Sequence, residues 1–206
     1  MPLTGRFDLG LAGARCRLDR AGARSEAVPV RRWRADASRS DGWLLDHCGG
    51  PTIDLGCGPG RLVVALTNRG VPSLGVDSSN VAVQLCATRG AVALRRDLFD
   101  PLPGEGRWRH ALLADGNVGI GGDPISLLRR VHRLIHPNGS VLVELARNGG
   151  LWRGPARLVG ADGASAGWFP WAQVGRDAIV DVARASDLRL HQLRGRRRVF
   201  AELRRA

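Results

Sequence analysis

The sequence predicts an α/β fold, a doubly wound, mostly parallel seven-stranded sheet that ends in an antiparallel hairpin. Three observations predict it. From residue 50 onward, short apolar runs alternate with segments of helical period, the pattern of a parallel sheet covered by helices on both faces. The first run leads straight into a glycine turn, Gly56-Cys57-Gly58-Pro59-Gly60. Two strand-like runs around Gly195 close the chain, as a hairpin on a sheet edge would.

In order, the elements read as follows. Residues 52–55 are the first strand. Residues 61–69 are a short amphipathic helix that Gly70 closes, glycine being the usual residue past a helix C-terminus. Residues 73–76 form the second strand and deliver Asp77. Residues 80–89 are a helix closed by Gly90, and 92–94, 110–114 and 140–145 are the third, fourth and fifth strands. Between the last two, Ile125, Leu128, Val131, Leu134 and Ile135 share one face of a helix over 124–135. Asp123 is its cap and Pro124 stands in its first turn, where proline is tolerated. A helix is expected over 171–186, then the hairpin strands 188–193 and 197–203. Residues 1 to about 30 read as loosely ordered. The division expected is an N-terminal arm and cap helix, 1–48, over the cleft of a single domain, 49–206, with a lid loop at 147–171.

The chain has 206 residues, 31 Lys+Arg against 19 Asp+Glu, and a formal net charge of +12. Every basic residue is Arg, and Tyr is absent. This looks like pressure on codon composition, which makes the charge weak support for a nucleic-acid partner. The longest apolar stretch, Leu62 to Leu66, is far short of the roughly 18 to 20 residues of a membrane span. Cys16, Cys48, Cys57 and Cys86 show no C-x-x-C pairing and read as reduced thiols of a cytoplasmic protein, with no metal expected.

The turn carries the chemistry. Glycines at 56, 58 and 60 let the backbone bend sharply and approach a ligand that a Cβ would repel. A dinucleotide fingerprint would need glycine at 61, where this chain has Arg61. With Asp54 before the first glycine, the segment Ile53-Asp54-Leu55-Gly56-Cys57-Gly58-Pro59-Gly60 resembles motif I of class I S-adenosylmethionine-dependent methyltransferases, and the resemblance extends through most of residues 50–146. It implies a Rossmann-like fold, with the turn around the methionine part of the cofactor. It places Asp77 and Ser78 at the ribose, and Asp97 and Leu98 near the adenine. Asp115 and Asn117 are then expected near the cofactor's amino-acid end or the substrate. Cys57 is expected to offer backbone contact and no thiol chemistry. The Asn/Asp-Pro-Pro-aromatic quartet of adenine methyltransferases is missing after the fourth strand, where Ala114-Asp115-Gly116-Asn117 stands.

Methyl transfer from a sulfonium requires alignment and a water-poor pocket, with a base only where the acceptor keeps its proton. His47, His110, His132, His136 and His191 lie in poor positions for one, and Glu144 is the best-placed spare carboxylate. Substrate contacts are expected from outside the shared core: Trp33 and Arg39 in the arm, and Arg147, Trp168 and Trp171 in the Gly- and Trp-rich stretch. Aromatic rings beside Arg suit a planar or anionic small molecule. The reading is a small-molecule methyltransferase. A nucleic-acid methyltransferase, resting on the +12 charge and the Arg194–Arg198 cluster, is the first alternative. A non-catalytic S-adenosylmethionine-binding sensor or partner protein is the second, and a nicotinamide-binding enzyme the third. Edge protection of the hairpin also explains the Arg cluster. The sequence names no oligomeric state.

Overall fold

The computed structural model describes residues 5–147 and 149–206. Residues 1–4 of the expected arm and Asn148 of the expected lid lie outside the described residues.

Eleven strands form two sheets among these residues. The large sheet contains β3 (Thr52–Leu55), β4 (Ser73–Asp77), β5 (Ala93–Arg95), β6 (Trp108–Leu113), β7 (Ile135–Leu145), β10 (Leu188–Arg194) and β11 (Val199–Arg205), in the order β10-β11-β7-β6-β3-β4-β5. β3 to β7 run parallel, while β11 is antiparallel to β7 and β10 to β11. The seven-stranded sheet and its terminal edge hairpin are therefore as the sequence predicts. The chain winds from β3 outward to β4 and β5 on one side and then returns to β6 and β7 on the other, and this switch creates the crevice at which doubly wound sheets bind ligands.

Both faces of this sheet are covered, which explains why its central strands are continuous apolar runs. On one face Ile53, Ala111, Leu113, Val141 and Val143 pack against Leu127, Leu128, Val131 and Leu134 of α6 (Pro124–Leu134) and Val182 of α7 (Ile179–Arg184). On the other, Leu112 and Leu142 meet Leu62 and Leu66 of α4 (Arg61–Asn68) and Leu44 and Leu45 of α3 (Gly42–Asp46). Asp123 caps α6 by accepting the Ile125 N–H at 3.2 Å. α5 (Asn80–Thr88) is capped by Ser79.

The small sheet corrects three expectations. β1 (Cys16–Arg20) and β2 (Ala23–Ala27) form a hairpin, and β1 pairs with β8 (Leu151–Gly160), which pairs with β9 (Phe169–Val174), all antiparallel. The N-terminal segment is thus not loosely ordered over 16–27. Most of 147–171 is strand and not a loop, and the expected helix over 171–186 shrinks to α7, with Trp171 in β9. The reason is range. β1 joins the sheet through β8, with Cys16 opposite Gly160 and Arg20 opposite Ala156, and the Arg, Asp and Glu on β1 and β2 mask the alternation of Cys16, Leu18 and Arg20, all of which are buried. Around this sheet, α1 (Asp8–Leu11) and α2 (Val30–Arg34) lie against each other, the Trp33 ring beside Gly10.

Candidate functional site

The glycine turn sits at the end of β3. Gly56, Gly58 and Gly60 have φ of 73°, 53° and 79°, left-handed values that a side chain makes costly. A Cβ at Gly60 would come 2.8 Å from the Cys86 sulfur, and one at Gly56 would come 2.6 Å from Asn117 Nδ2. Asn117 pins the turn by donating from Nδ2 to the carbonyls of Leu55 (2.9 Å) and Gly56 (2.8 Å). Asp77, ending β4, accepts the Gly58 N–H at 3.0 Å and the Ser79 N–H at 2.8 Å. Burial raises its carboxyl above the ordinary range despite those N–H groups.

In front of the turn lies a cleft of about 680 Å³, a size typical of small-ligand sites. Of the residues expected at the cofactor, Gly56, Cys57, Gly58, Asp77, Ser78, Asp97, Leu98, Asp115 and Asn117 line it. Trp33 and Trp171, expected at substrate, line it as well. Asp54 and Gly60 do not. Gly60 is wedged against Cys86 and Ala91 beneath the turn, and Asp54 is buried in β3, where desolvation pushes its carboxyl up to about 7 against the opposing pull of Arg61. The Cys57 thiol faces that of Cys86 at 3.9 Å. Its hydrogen bond to Cys86 and its burial both raise its pKa, so it is a poor nucleophile.

The sequence reading missed the arm's closest contribution. Gly5, Arg6, Phe7 and Leu11 line the cleft, held there because Asp8 Oδ1 accepts the Ser79 hydroxyl at 2.6 Å. Phe7 stands 5.3 Å from the rings of Phe169 and Trp171 and 6.1 Å from Trp33. Only the apolar pair Phe7 and Leu11 around Gly10 hinted at this in the sequence. Phe99, beside Asp97 and Leu98, is the exposed apolar residue of the cleft wall.

A second cavity of about 660 Å³ adjoins the first, and Phe7, Trp33, Asp115 and Trp171 line both. Glu144 and Arg147 line this second cavity and not the cleft. Arg39 lies in a short 3-10 helix outside both, and Trp168 is exposed with the Arg157 guanidinium 4.7 Å from its ring centre. Neither of these two meets the expectation of a cavity-lining residue.

Between the cavities and α3 lies a buried ionic network. Arg61 donates to Asp41 and Asp115, each at 2.6 Å, and Arg198 to Asp41 at 2.8 Å. Arg32 pairs with Asp115. Burial alone would raise Asp115, but the Arg61 and Arg32 guanidinium groups more than offset it and hold the carboxyl below its ordinary value. Asp41 behaves likewise, through the Ser38 N–H, Arg61 and Arg198. Asp115 has φ of 53°, a conformation that few residues other than glycine, Asn and Asp adopt. Glu144 is gripped at both oxygens by Arg198 (2.8 and 2.7 Å), and Oε2 also accepts the Asp115 N–H at 2.8 Å. A carboxylate so engaged, with both oxygens occupied, is an anchor for the Asp115 backbone. Arg198 is correspondingly no part of a solvated cluster, since only 13% of its side chain is exposed.

Known proteins share this fold. The family model described as "Methionine biosynthesis protein MetW" matches residues 35–104, the stretch holding the turn, Asp77 and Asp97. A methyltransferase structure from Bacteroides fragilis in complex with S-adenosyl-L-homocysteine has a TM-score of 0.79 and 18% identity, over 100% of this chain and 97% of that one. The 1,6-didemethyltoxoflavin-N1-methyltransferase of Burkholderia thailandensis scores 0.60 at 17% identity, over 82% and 77%. The CcbJ methyltransferase of Streptomyces caelestis scores 0.62 at 15%, over 81% and 88%. No curated protein matches by sequence. No helix among the described residues is long and apolar enough to cross a membrane, and no group of His, Cys, Asp and Glu among them could hold a metal ion. The chain has the Rossmann-like fold of the S-adenosylmethionine-dependent methyltransferases.

Proposed function

We propose that the protein transfers a methyl group from S-adenosylmethionine to a small-molecule acceptor. The observation that carries this is that the cleft and the second cavity are neighbours sharing Phe7, Trp33, Asp115 and Trp171 in their walls. A donor in the cleft and an acceptor in the second cavity would meet there. The cleft fits the donor on its own chemistry. It offers a turn with no side chain at 56 or 58, a half-buried carboxylate at Asp77 with spare acceptor capacity for hydroxyl groups, and the Asp97-Leu98-Phe99 wall for a flat base. The bound cofactor would supply a sulfonium methyl whose positive charge vanishes on transfer.

The chain's own work is then alignment and exclusion of water. Asn117 fixes the turn, and Asp8 fixes the strap that brings Phe7 over the cleft. Phe7, Trp33 and Trp171 make a dry collar at the junction, and rings near a cation also favour it electrostatically. The paired Asp115 carboxylate keeps the junction electrostatically close to balanced. With Glu144 committed to Arg198, we assign no general base. This suits an acceptor that is nucleophilic without losing a proton first, such as an amine or thiolate. Solved methyltransferases of the same fold include N- and O-methyltransferases of small molecules, which supports this substrate class over nucleic acid. Calorimetric titration with S-adenosylhomocysteine and, in parallel, NAD tests the reading. Heat from the first alone is expected, and heat from NAD alone would refute it.

A further inference from the structure

The second cavity carries a charge pattern that the transfer reaction does not require. Four arginines line it: Arg32, Arg147, Arg197 and Arg198. Arg32 and Arg198 are consumed by Asp115, Asp41 and Glu144. Glu26, the other acid of the wall, is bound by Arg20 at 2.6 Å and by Gln173 at 3.2 Å. Arg147 and Arg197 are left over. Both are exposed, and among the described residues neither has a carboxylate partner. Nor are they independent of each other, because Arg147 Nε donates to the Arg197 carbonyl at 3.1 Å. That bond ties the end of β7 to the β10–β11 turn and leaves the outer nitrogens of Arg147 free.

The rest of the wall is apolar, with Leu18, Val28, Trp171 and Val174 among its residues. Two exposed arginines without a carboxylate partner at one concave surface attract an anion and disfavour a cation. A guanidinium binds carboxylate, phosphate or sulfonate through paired N–H donors. We propose that this cavity takes an anionic small molecule with an apolar, ring-sized body, its negative group held by Arg147 and Arg197 and its body against Trp171. This rests on the reading of the cavity as the acceptor site, and it narrows the acceptor to an organic acid.

The test uses two probes with the same body. 8-Anilinonaphthalene-1-sulfonate carries a sulfonate, and N-phenyl-1-naphthylamine does not. Fluorescence titrations are run with S-adenosylhomocysteine present, so that the cleft is filled. The variants are Arg147→Ser/Arg197→Ser and a charge-matched control, Arg107→Ser/Arg189→Ser, at exposed arginines outside both cavities. The sulfonate is expected to bind the natural protein at least tenfold more tightly than its neutral twin. The first variant should lose at least tenfold for the sulfonate and stay within twofold for the neutral probe, which also reports that the cavity is still folded. The control should change neither.

Equal binding of the two probes, no sulfonate binding, or an equal loss in the control would overturn the proposal. Calorimetry with S-adenosylhomocysteine on the same samples separates the two failures. Heat without probe discrimination keeps the methyltransferase reading and removes the anion site; discrimination without heat does the reverse.

Discussion

The cleft and the second cavity meet at four shared residues, yet they are built differently. The cleft is built on the glycine turn, which has no side chain at 56 or 58, and on the ends of the neighbouring parallel strands β3, β4 and β5, with Phe7, Trp33 and Trp171 closing one side. The second cavity is walled by side chains brought together from both ends of the chain, Leu18 and Val28 against Trp171 and Arg197. A backbone turn tolerates many side-chain changes, while a wall of paired side chains fails when one partner goes. Substitutions should therefore separate stability from ligand affinity.

The largest expected effect lies in the network between them. Arg61→Ala would leave Asp41 fully buried, and Asp115 largely so, with a lost partner. Breaking a buried pair from one side costs about 3 to 5 kcal/mol, so chemical denaturation should show a loss of that order. A change under about 1 kcal/mol would mean that the network is better hydrated than its geometry shows. Next comes Asp77→Ala, for which S-adenosylhomocysteine affinity should fall by about 1 to 3 kcal/mol through unpaired ligand hydroxyls. Unchanged affinity would move the ligand away from β4.

Protonation draws the same contrast. Asp54 and Asp77 have raised pKa values in the folded chain, so their neutral forms favour folding. That contribution is complete below about pH 4, the unfolded carboxylate value, and is lost as pH rises through about 7 for Asp54. Asp41 and Asp115 are depressed, so they stabilise above about pH 4 and lose this as pH falls through their lower folded values. Denaturant midpoints should thus fall on both the acid and the alkaline side of mildly acid pH. Asp54→Asn should flatten the alkaline limb alone, and an unaltered limb would assign that slope elsewhere.

What was legible in the sequence follows the same division. The turn, Asp77, Asp97 and the succession of strands and helices along the large sheet could be read because each depends on neighbours a few residues away. β1 and β2 could not, because charge masks their alternation and the β8 edge that β1 joins, with Cys16 opposite Gly160, is remote in sequence; β8 and β9 were hidden among glycines and tryptophans that read as a loop. The same long range hid Phe7, whose contacts lie at Phe169 and Trp171. Glu144 was singled out correctly as a carboxylate near the end of β7, but only the fold reveals that Arg198 occupies it. Trp168 attracted notice as part of an aromatic run and is 52% exposed. Trp168→Ala should therefore change stability by no more than about 0.5 kcal/mol and leave probe binding in the second cavity unaltered. A larger loss in either would put Trp168 back in the wall.

The central claim is that a nucleoside-bearing sulfonium occupies the cleft with its reactive end at the shared collar. A crystal structure with S-adenosylhomocysteine tests it most directly. The account predicts ribose hydroxyls within hydrogen-bond distance of the Asp77 carboxylate and the sulfur beside the shared residues Phe7, Trp33 and Trp171. A ligand bound away from Asp77, or one whose sulfur points away from the second cavity, would contradict it.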